Sequence, residues 1–212
     1  MSDPTPIVFV VDDDPSIRKS LNLLLSSAGY GVKTFASAKE FLESERDSPG
    51  PACLVLDVKM PGLSGLDLQK ELKSRKYNIP IIFITGHGDI PMSVQAMKKG
   101  AVDFLPKPFD DGELLGAVNE AFLKDSQARA DLDEQKHIMQ RLDSLTPREH
   151  EVLSYLITGM LNKQIAYELI ISERTVKAHR KQVLDKMGVD SIAELVRLTE
   201  KVGVKPASPS DQ

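Results

Sequence analysis

Four carboxylates, one hydroxyl and one ammonium carry the first chemical signal in this 212-residue chain. Asp12, Asp13 and Asp14 follow the apolar run Ile7–Val11, and Asp57 follows Cys53–Leu56. Thr85 closes Ile81–Ile84, and Lys107-Pro108 follows shortly after Val102–Leu105. Carboxylates gathered in one place repel one another and need a cation or a proton. A hard divalent ion, Mg²⁺ above all, suits such a cluster, taking one or two carboxylates, a backbone carbonyl, waters and a phosphate oxygen. With Mg²⁺ and Lys107 neutralising incoming charge, Asp57 has the chemistry to attack phosphorus and become an aspartyl phosphate. Asp14 reads differently. Followed by Pro15 and a helical stretch, it fits a helix N-cap with Pro at the first position, which leaves Asp12 and Asp13 for the metal.

A second signal lies near the other end, where Arg174 to Lys181 holds four basic residues and no acid. Thr175, Lys177, Ala178, His179, Arg180 and Lys181 crowd the first turns of a helical pattern whose apolar stripe is Val176, Val183 and Leu184. A helix that carries base-reading and phosphate-binding residues in its first turns is what a major-groove reader needs. The plainer alternative is a solvated basic face.

The elements that must position these residues follow from the apolar pattern. The runs Ile7–Val11, Val32–Phe35, Cys53–Leu56, Ile81–Ile84 and Val102–Leu105 are rich in Val, Ile or Phe and short enough for buried strands. Helical stretches separate them at Ser16–Ala28, Ala38–Glu45, Leu66–Arg75 and Met92–Lys99, and another starts near Asp111. Gly29 and Gly100 stand where C-terminal caps belong. Five successive βα units predict an α/β doubly wound, five-stranded parallel sheet, with ligands bound outside the carboxyl ends of the strands. That places the aspartates, Thr85 and Lys107 on one rim.

No Gly or Pro occurs from Ala117 to Thr146, so the helix after the fifth strand is expected to run on as a charged, solvated spacer. Its stripe (Leu115, Val118, Phe122) thins after Leu123 and returns at Ile138, Met139 and Leu142, without sustained heptads. Beyond it the pattern is all helix. Thr146-Pro147-Arg148-Glu149 is a helix start, followed by Val152, Leu153, Leu156 and Ile157 at helical spacing. Further helices are predicted over Lys163–Leu169, from the cap Ser172 to Met187, and over Ser191–Val202. Ile170-Ile171 is left as the turn of a helix-turn-helix.

Several classes are excluded. One Cys cannot form an intrachain disulfide, and the four His (87, 137, 150, 179) are too scattered for a zinc finger. Cys53, inside a strand, is a buried small hydrophobe. No apolar run approaches the roughly 18 residues of a membrane span, and MSDPTP lacks the basic start of a signal peptide, so the chain is expected to stay in the cytoplasm. The formal net charge of −4 argues against nucleic acid only as an average. Residues 1–125 carry 14 Lys/Arg against 18 Asp/Glu, whereas residues 126–212 carry 13 of each. The acidity therefore sits with the carboxylate rim.

On VVDDD (10–14), LVLDVKMPGLSG (54–65), ITGHGD (84–89) and AVDFLPKPF (101–109), residues 5–125 resemble the receiver domain of bacterial two-component response regulators. The resemblance implies an acidic triad of Asp12, Asp13 and Asp57, with Asp57 accepting phosphate from a histidine kinase. It implies that Lys59 gives its backbone carbonyl to Mg²⁺, that Thr85 and Lys107 bind phosphate oxygens, and that Lys107–Pro108 is cis. The switch aromatic falls at Phe104, which lacks the hydroxyl of the Tyr often found there. Residues 144–202, with LTPREHEVL and NKQIAYELIISERTVKAHRKQVLDKMGV, resemble the four-helix LuxR-type DNA-binding domain. The combination marks the FixJ/NarL type of response regulator. Carried over, Lys177, Ala178 and Lys181 face base edges, while Asn162, Lys163, Thr175 and His179 lie nearer the DNA backbone or the helix packing. The last helix would be the dimer face.

The expected organisation is a receiver over 1–125, a helical linker over 126–143, the helix-turn-helix domain over 144–205 and a disordered tail over 206–212. The expected function is a transcriptional regulator, not an enzyme, with a histidine kinase, double-stranded promoter DNA and a second copy of itself as partners. The rival reading is a Mg²⁺-dependent phosphatase fused to a DNA-binding module, but Lys59 stands where the dehalogenase-like family has its second Asp. Gly86-His87-Gly88 is an incomplete dinucleotide fingerprint, because Pro91 occupies the third Gly position. His87 has no Ser in a strand-to-helix elbow beside it.

Overall fold

In the computed structural model, which describes residues 5–44, 48, 50–86 and 90–208, the five apolar runs pair as one parallel sheet. The strands are β1 (Ile7–Val11), β2 (Gly31–Phe35), β3 (Ala52–Asp57), β4 (Ile81–Thr85) and β5 (Asp103–Pro106), in the order β2-β1-β3-β4-β5. β1, β3 and β4 are almost wholly buried, as continuous Val/Ile/Leu/Phe runs with a layer on each face must be. The intervening helices are α1 (Pro15–Ser27), α2 (Ala38–Glu43), α3 (Gly65–Ser74) and α4 (Ile90–Lys98). They divide the core into two layers. Phe9, Phe35, Phe41, Leu54, Leu56, Leu68 and Phe83 fill one, and Val8, Val10, Leu25, Val55, Ile82, Leu114 and Val118 fill the other.

Local chemistry starts and stops the helices. Asp14 caps α1, its carboxylate accepting the Ser16 amide at 2.7 Å, with Pro15 at the first helical position. Ser37 and Ser64 cap α2 and α3 in the same way. Strand order reverses between β1 and β3, the switch point where a doubly wound sheet opens a crevice at its carboxyl edge.

α5 runs unbroken from Asp111 to Asp143. Leu114, Ala117, Val118, Ala121 and Phe122 pack on the sheet, and the chain divides into two compact units between Arg129 and Ala130. The expected solvated spacer is shorter than the sequence suggests, because Ile138 and Leu142 are buried in the core of the second unit. The rest of that unit is α6 (Pro147–Leu156), α7 (Asn162–Glu168), α8 (Glu173–Met187) and α9 (Ile192–Glu200). Its core joins Leu145, Val152, Leu153, Leu156, Ile165, Val176, Val183, Met187 and Leu195. Thr146 and Glu149 form the capping box of α6, and Gly188 ends α8 in the left-handed conformation at φ 64°.

Two features depart from expectation. Ile170, in the turn between α7 and α8, adopts φ 54° although it is β-branched, so a conformation suited to Gly is held by the flanking helices. The tail expected to be unstructured from Pro206 is tied down at Ala207, whose amide donates to the Ser154 carbonyl at 2.9 Å. His87, Gly88 and residues 209–212 lie outside the described residues. Among those described, no helix is long and apolar enough to cross a membrane.

Candidate functional site: an acidic rim and a basic helix

β1, β3 and β5 deliver three charged groups to one point. Lys107 Nζ, just past β5, lies 2.7 Å from Asp12 Oδ2 and 2.7 Å from Asp57 Oδ1. Asp12 and Asp57 are 1% and 5% exposed, so one ammonium is shared by two buried carboxylates and negative charge is left in excess. Burial pushes the Asp57 carboxyl above its ordinary value of 3.8. Two hydrogen-bonded contacts, from Lys107 and from the Lys59 amide, pull it back, and the Asp12 charge adds to the rise. Lys107 is desolvated too, but its two carboxylate partners win and hold its pKa above the ordinary 10.5.

Each position has a local cause. Thr85 ends β4 and is buried, and its carbonyl accepts the Lys107 amide at 2.7 Å. The Lys107–Pro108 peptide is cis. Phe104 is half-buried, its ring 6.3 Å from that of Phe83 and turned toward the sheet layer that Phe83 fills. The Lys59 side chain is exposed while its amide faces Asp57.

Asp12, Asp57 and Lys107 therefore meet through their side chains, Thr85 is joined to Lys107 through its own carbonyl, and Asp13 is exposed at the edge. No group of three carboxylates, His or Cys is arranged to hold a metal ion among the described residues. The donor chemistry nonetheless fits a hard cation: oxygen donors only, an uncompensated buried carboxylate and an exposed carboxylate next to it in the chain.

Sequence reasoning passed over two residues here. At Gly65, the first residue of α3, an added Cβ would sit 2.3 Å from the Asp57 carbonyl oxygen, so only glycine lets α3 approach the end of β3. A glycine directly after the cap Ser64 was the available signal. Arg18 Nη1 donates to the carbonyls of Asp12 and Asp13 at 2.7 and 2.9 Å. Its spacing of four from the cap Asp14 hinted at that reach.

In the second unit, α8 buries Val176, Val183 and Met187 and exposes Lys177, Ala178 and Lys181. Thr175 is engaged in the cap, its hydroxyl 2.8 Å from Ser172 Oγ. His179 is half-buried, and its Nδ1 has no hydrogen-bond partner among the described residues. Lys163 is exposed at the start of α7, where Arg180 Nη1 reaches Asn162 Oδ1 at 3.3 Å and links the two helices. α8 is also anchored from behind. Lys186 Nζ pairs at 2.6 Å with the buried Glu149, whose carboxyl is held below the ordinary range by that contact and by the Thr146 amide.

Comparison with known proteins separates the same two parts. The response regulator receiver domain matches residues 8–119, and the luxR family of bacterial regulatory proteins matches residues 143–199. The response regulator protein TodT of Pseudomonas putida is 47% identical over 202 residues, covering 95% of this chain and 88% of that protein. The transcriptional regulatory protein FixJ of Rhizobium meliloti is 45% identical over 200 residues, covering 94% and 98%. Among solved structures, the response regulator StyR aligns with a TM-score of 0.81 at 50% identity, over 93% of this chain and 99% of that one. Full-length FixJ from B. japonicum aligns with a TM-score of 0.56 at 44% identity, over 93% and 97%. A carboxylate rim on a parallel sheet, followed by a basic helix-turn-helix, thus has its counterpart in transcriptional regulators, and this chain belongs to the response regulator family, with a receiver domain followed by a LuxR-type DNA-binding domain.

Proposed function

We propose that Asp57 accepts a phosphoryl group from a histidine kinase and that this controls binding of α8 to double-stranded promoter DNA. The observation that carries the proposal is the shared contact of Lys107 with Asp12 and Asp57 at the carboxyl edge of the sheet. In the transfer, the ionised Asp57 carboxylate attacks phosphorus as the bond to the kinase histidine nitrogen breaks. Lys107, fully charged at neutral pH, stabilises the transferring oxygens, and the Thr85 hydroxyl donates to one of them. Asp12, Asp13, Asp57 and the Lys59 carbonyl would hold Mg²⁺, which when bound neutralises negative charge on the transferring phosphoryl group. Lys59, two residues past Asp57, offers no second carboxyl to drive hydrolysis, which favours a switch over a phosphatase.

Phosphorylation adds roughly one to two negative charges at the strand ends. Thr85 moves toward them and Phe104 turns into the space it leaves, reshaping the face of α4, β5 and α5. Val94 and Met97 on α4 are already exposed apolar groups suited to pairing with a second copy. Lys177, Ala178 and Lys181 then read base edges, while Lys163, Thr175 and His179 serve the phosphate contacts and the packing around them. The receiver is assigned to 1–125 and the DNA-binding domain to 144–205, joined through α5, whose Ile138 and Leu142 already belong to the second unit's core, and the chain is assigned to the cytoplasm.

The test is intact mass after incubation with Mg²⁺ and a small acyl phosphate. One phosphoryl group per chain is expected, absent from an Asp57→Asn variant and lost over seconds to hours. Labelling of Asp57→Asn equal to the parent, or rapid multiple turnover of phosphomonoesters, contradicts the proposal.

A further inference from the structure

Asp13 is the one member of the acidic set whose carboxylate lies at the exposed rim, and its direction depends on the two peptide groups flanking it. Both are pinned. Arg18 Nη1 holds the carbonyl of Asp12 at 2.7 Å, which orients the peptide before Asp13. The same nitrogen holds the carbonyl of Asp13 at 2.9 Å, which orients the peptide after it. That second peptide is gripped from its other side as well, because the Asp14 amide donates to Asp12 Oδ1 at 2.9 Å. Each Asp12 carboxylate oxygen already accepts one hydrogen bond, Oδ1 from the Asp14 amide and Oδ2 from Lys107, whereas the Asp13 carboxylate accepts none among the described residues.

Arg18 stands among three aspartates, yet forms no ion pair within 4.0 Å among the described residues. Its charge is spent on two carbonyl oxygens, through charge-assisted bonds stronger than neutral ones. We infer that Arg18 is a positioning residue for the divalent cation: it fixes the peptide planes around Asp13 so that this carboxylate presents to the metal. The inference rests on the pocket proposed above and adds to it a residue that touches neither the metal nor the phosphoryl group.

The sign of the effect separates positioning from electrostatics. A guanidinium near the site repels a divalent cation, so a purely electrostatic Arg18 weakens Mg²⁺ binding and its removal tightens it. A positioning Arg18 does the opposite. Arg18→Lys conserves the charge, but the lysine stem is shorter and cannot hold both carbonyls in the same geometry. Arg18→Met keeps the bulk and removes both charge and donors.

Mg²⁺ alone is titrated calorimetrically into the full chain, with thermal melting in the absence of divalent cation as a fold control. Arg18→Lys is expected to weaken Mg²⁺ about threefold and Arg18→Met roughly tenfold, the scale of lost outer-shell support at metal sites. Both should melt cooperatively. Unchanged affinity in Arg18→Lys overturns the inference, even where Arg18→Met fails to fold or the melting temperature drops, and so does tighter binding in a folded Arg18→Met. Wild-type Mg²⁺ binding that is lost in Asp13→Asn keeps the pocket standing whatever Arg18 does. Wild-type binding indifferent to Asp13→Asn overturns the pocket and the inference together.

Discussion

Asp57 is set against the stability of its own fold. Its pKa lies above the ordinary carboxylate value in the folded chain, with burial as the largest cause. At low pH the residue is protonated in both folded and unfolded chains and nothing is lost. As pH rises from the unfolded value to the raised folded value, the unfolded chain ionises first, so stability falls. The penalty then persists at neutral pH. Asp57→Asn should therefore melt higher than the parent at pH 7 without divalent cation. That gain should vanish as pH falls through the carboxylate range, and calorimetry from pH 3 to 7 would show it. A variant that melts lower at pH 7 contradicts this reading. Glu149 has the opposite sign: its lowered pKa contributes stability above its unfolded value, lost as pH falls through the folded one.

At the scale of the element, α8 separates two kinds of work on two faces. Val176, Val183 and Met187 hold it in the core, while Lys177 and Lys181 stand free to enter a groove. Replacing either lysine with Ala should cost specific DNA binding about 1–3 kcal/mol and relax the preference at one base position. Replacing the exposed Lys163 should weaken all sequences alike and reduce the salt slope by about one. Anisotropy titrations at several salt concentrations distinguish these outcomes, and wild-type affinity in the Lys177→Ala/Lys181→Ala double variant would remove α8 from the role. Much of this was legible in the sequence, because strand runs and capping residues are local signals. β3 nonetheless takes in Ala52 and Asp57 beyond the apolar run, since pairing with β1 and β4 decides where a strand ends. Gly65 and Arg18 left only faint signals, a glycine after one cap and an Arg four residues past another, because the backbone contacts each makes exist only once α3 and α1 have formed. Nor does the sequence announce the positive φ of Ile170, where Gly would be expected.

For the whole molecule, the proposed function requires that charge added at Asp57 alter what α8 binds. Two receivers pairing through α4, β5 and α5 would raise the effective concentration of one DNA-binding domain beside the other, and avidity would follow without any new base contact. The measurement that bears most directly on this coupling is DNA affinity at fixed salt, with a duplex enriched by the chain itself from a randomised pool. The full chain is titrated with and without beryllofluoride and Mg²⁺, beside the Asp57→Asn variant. Tightening within the roughly 5–150-fold range of ordinary allosteric coupling is expected for the parent and none for the variant. A parent whose affinity does not change, or an Asp57→Asn variant that tightens equally, would contradict control of DNA binding through Asp57.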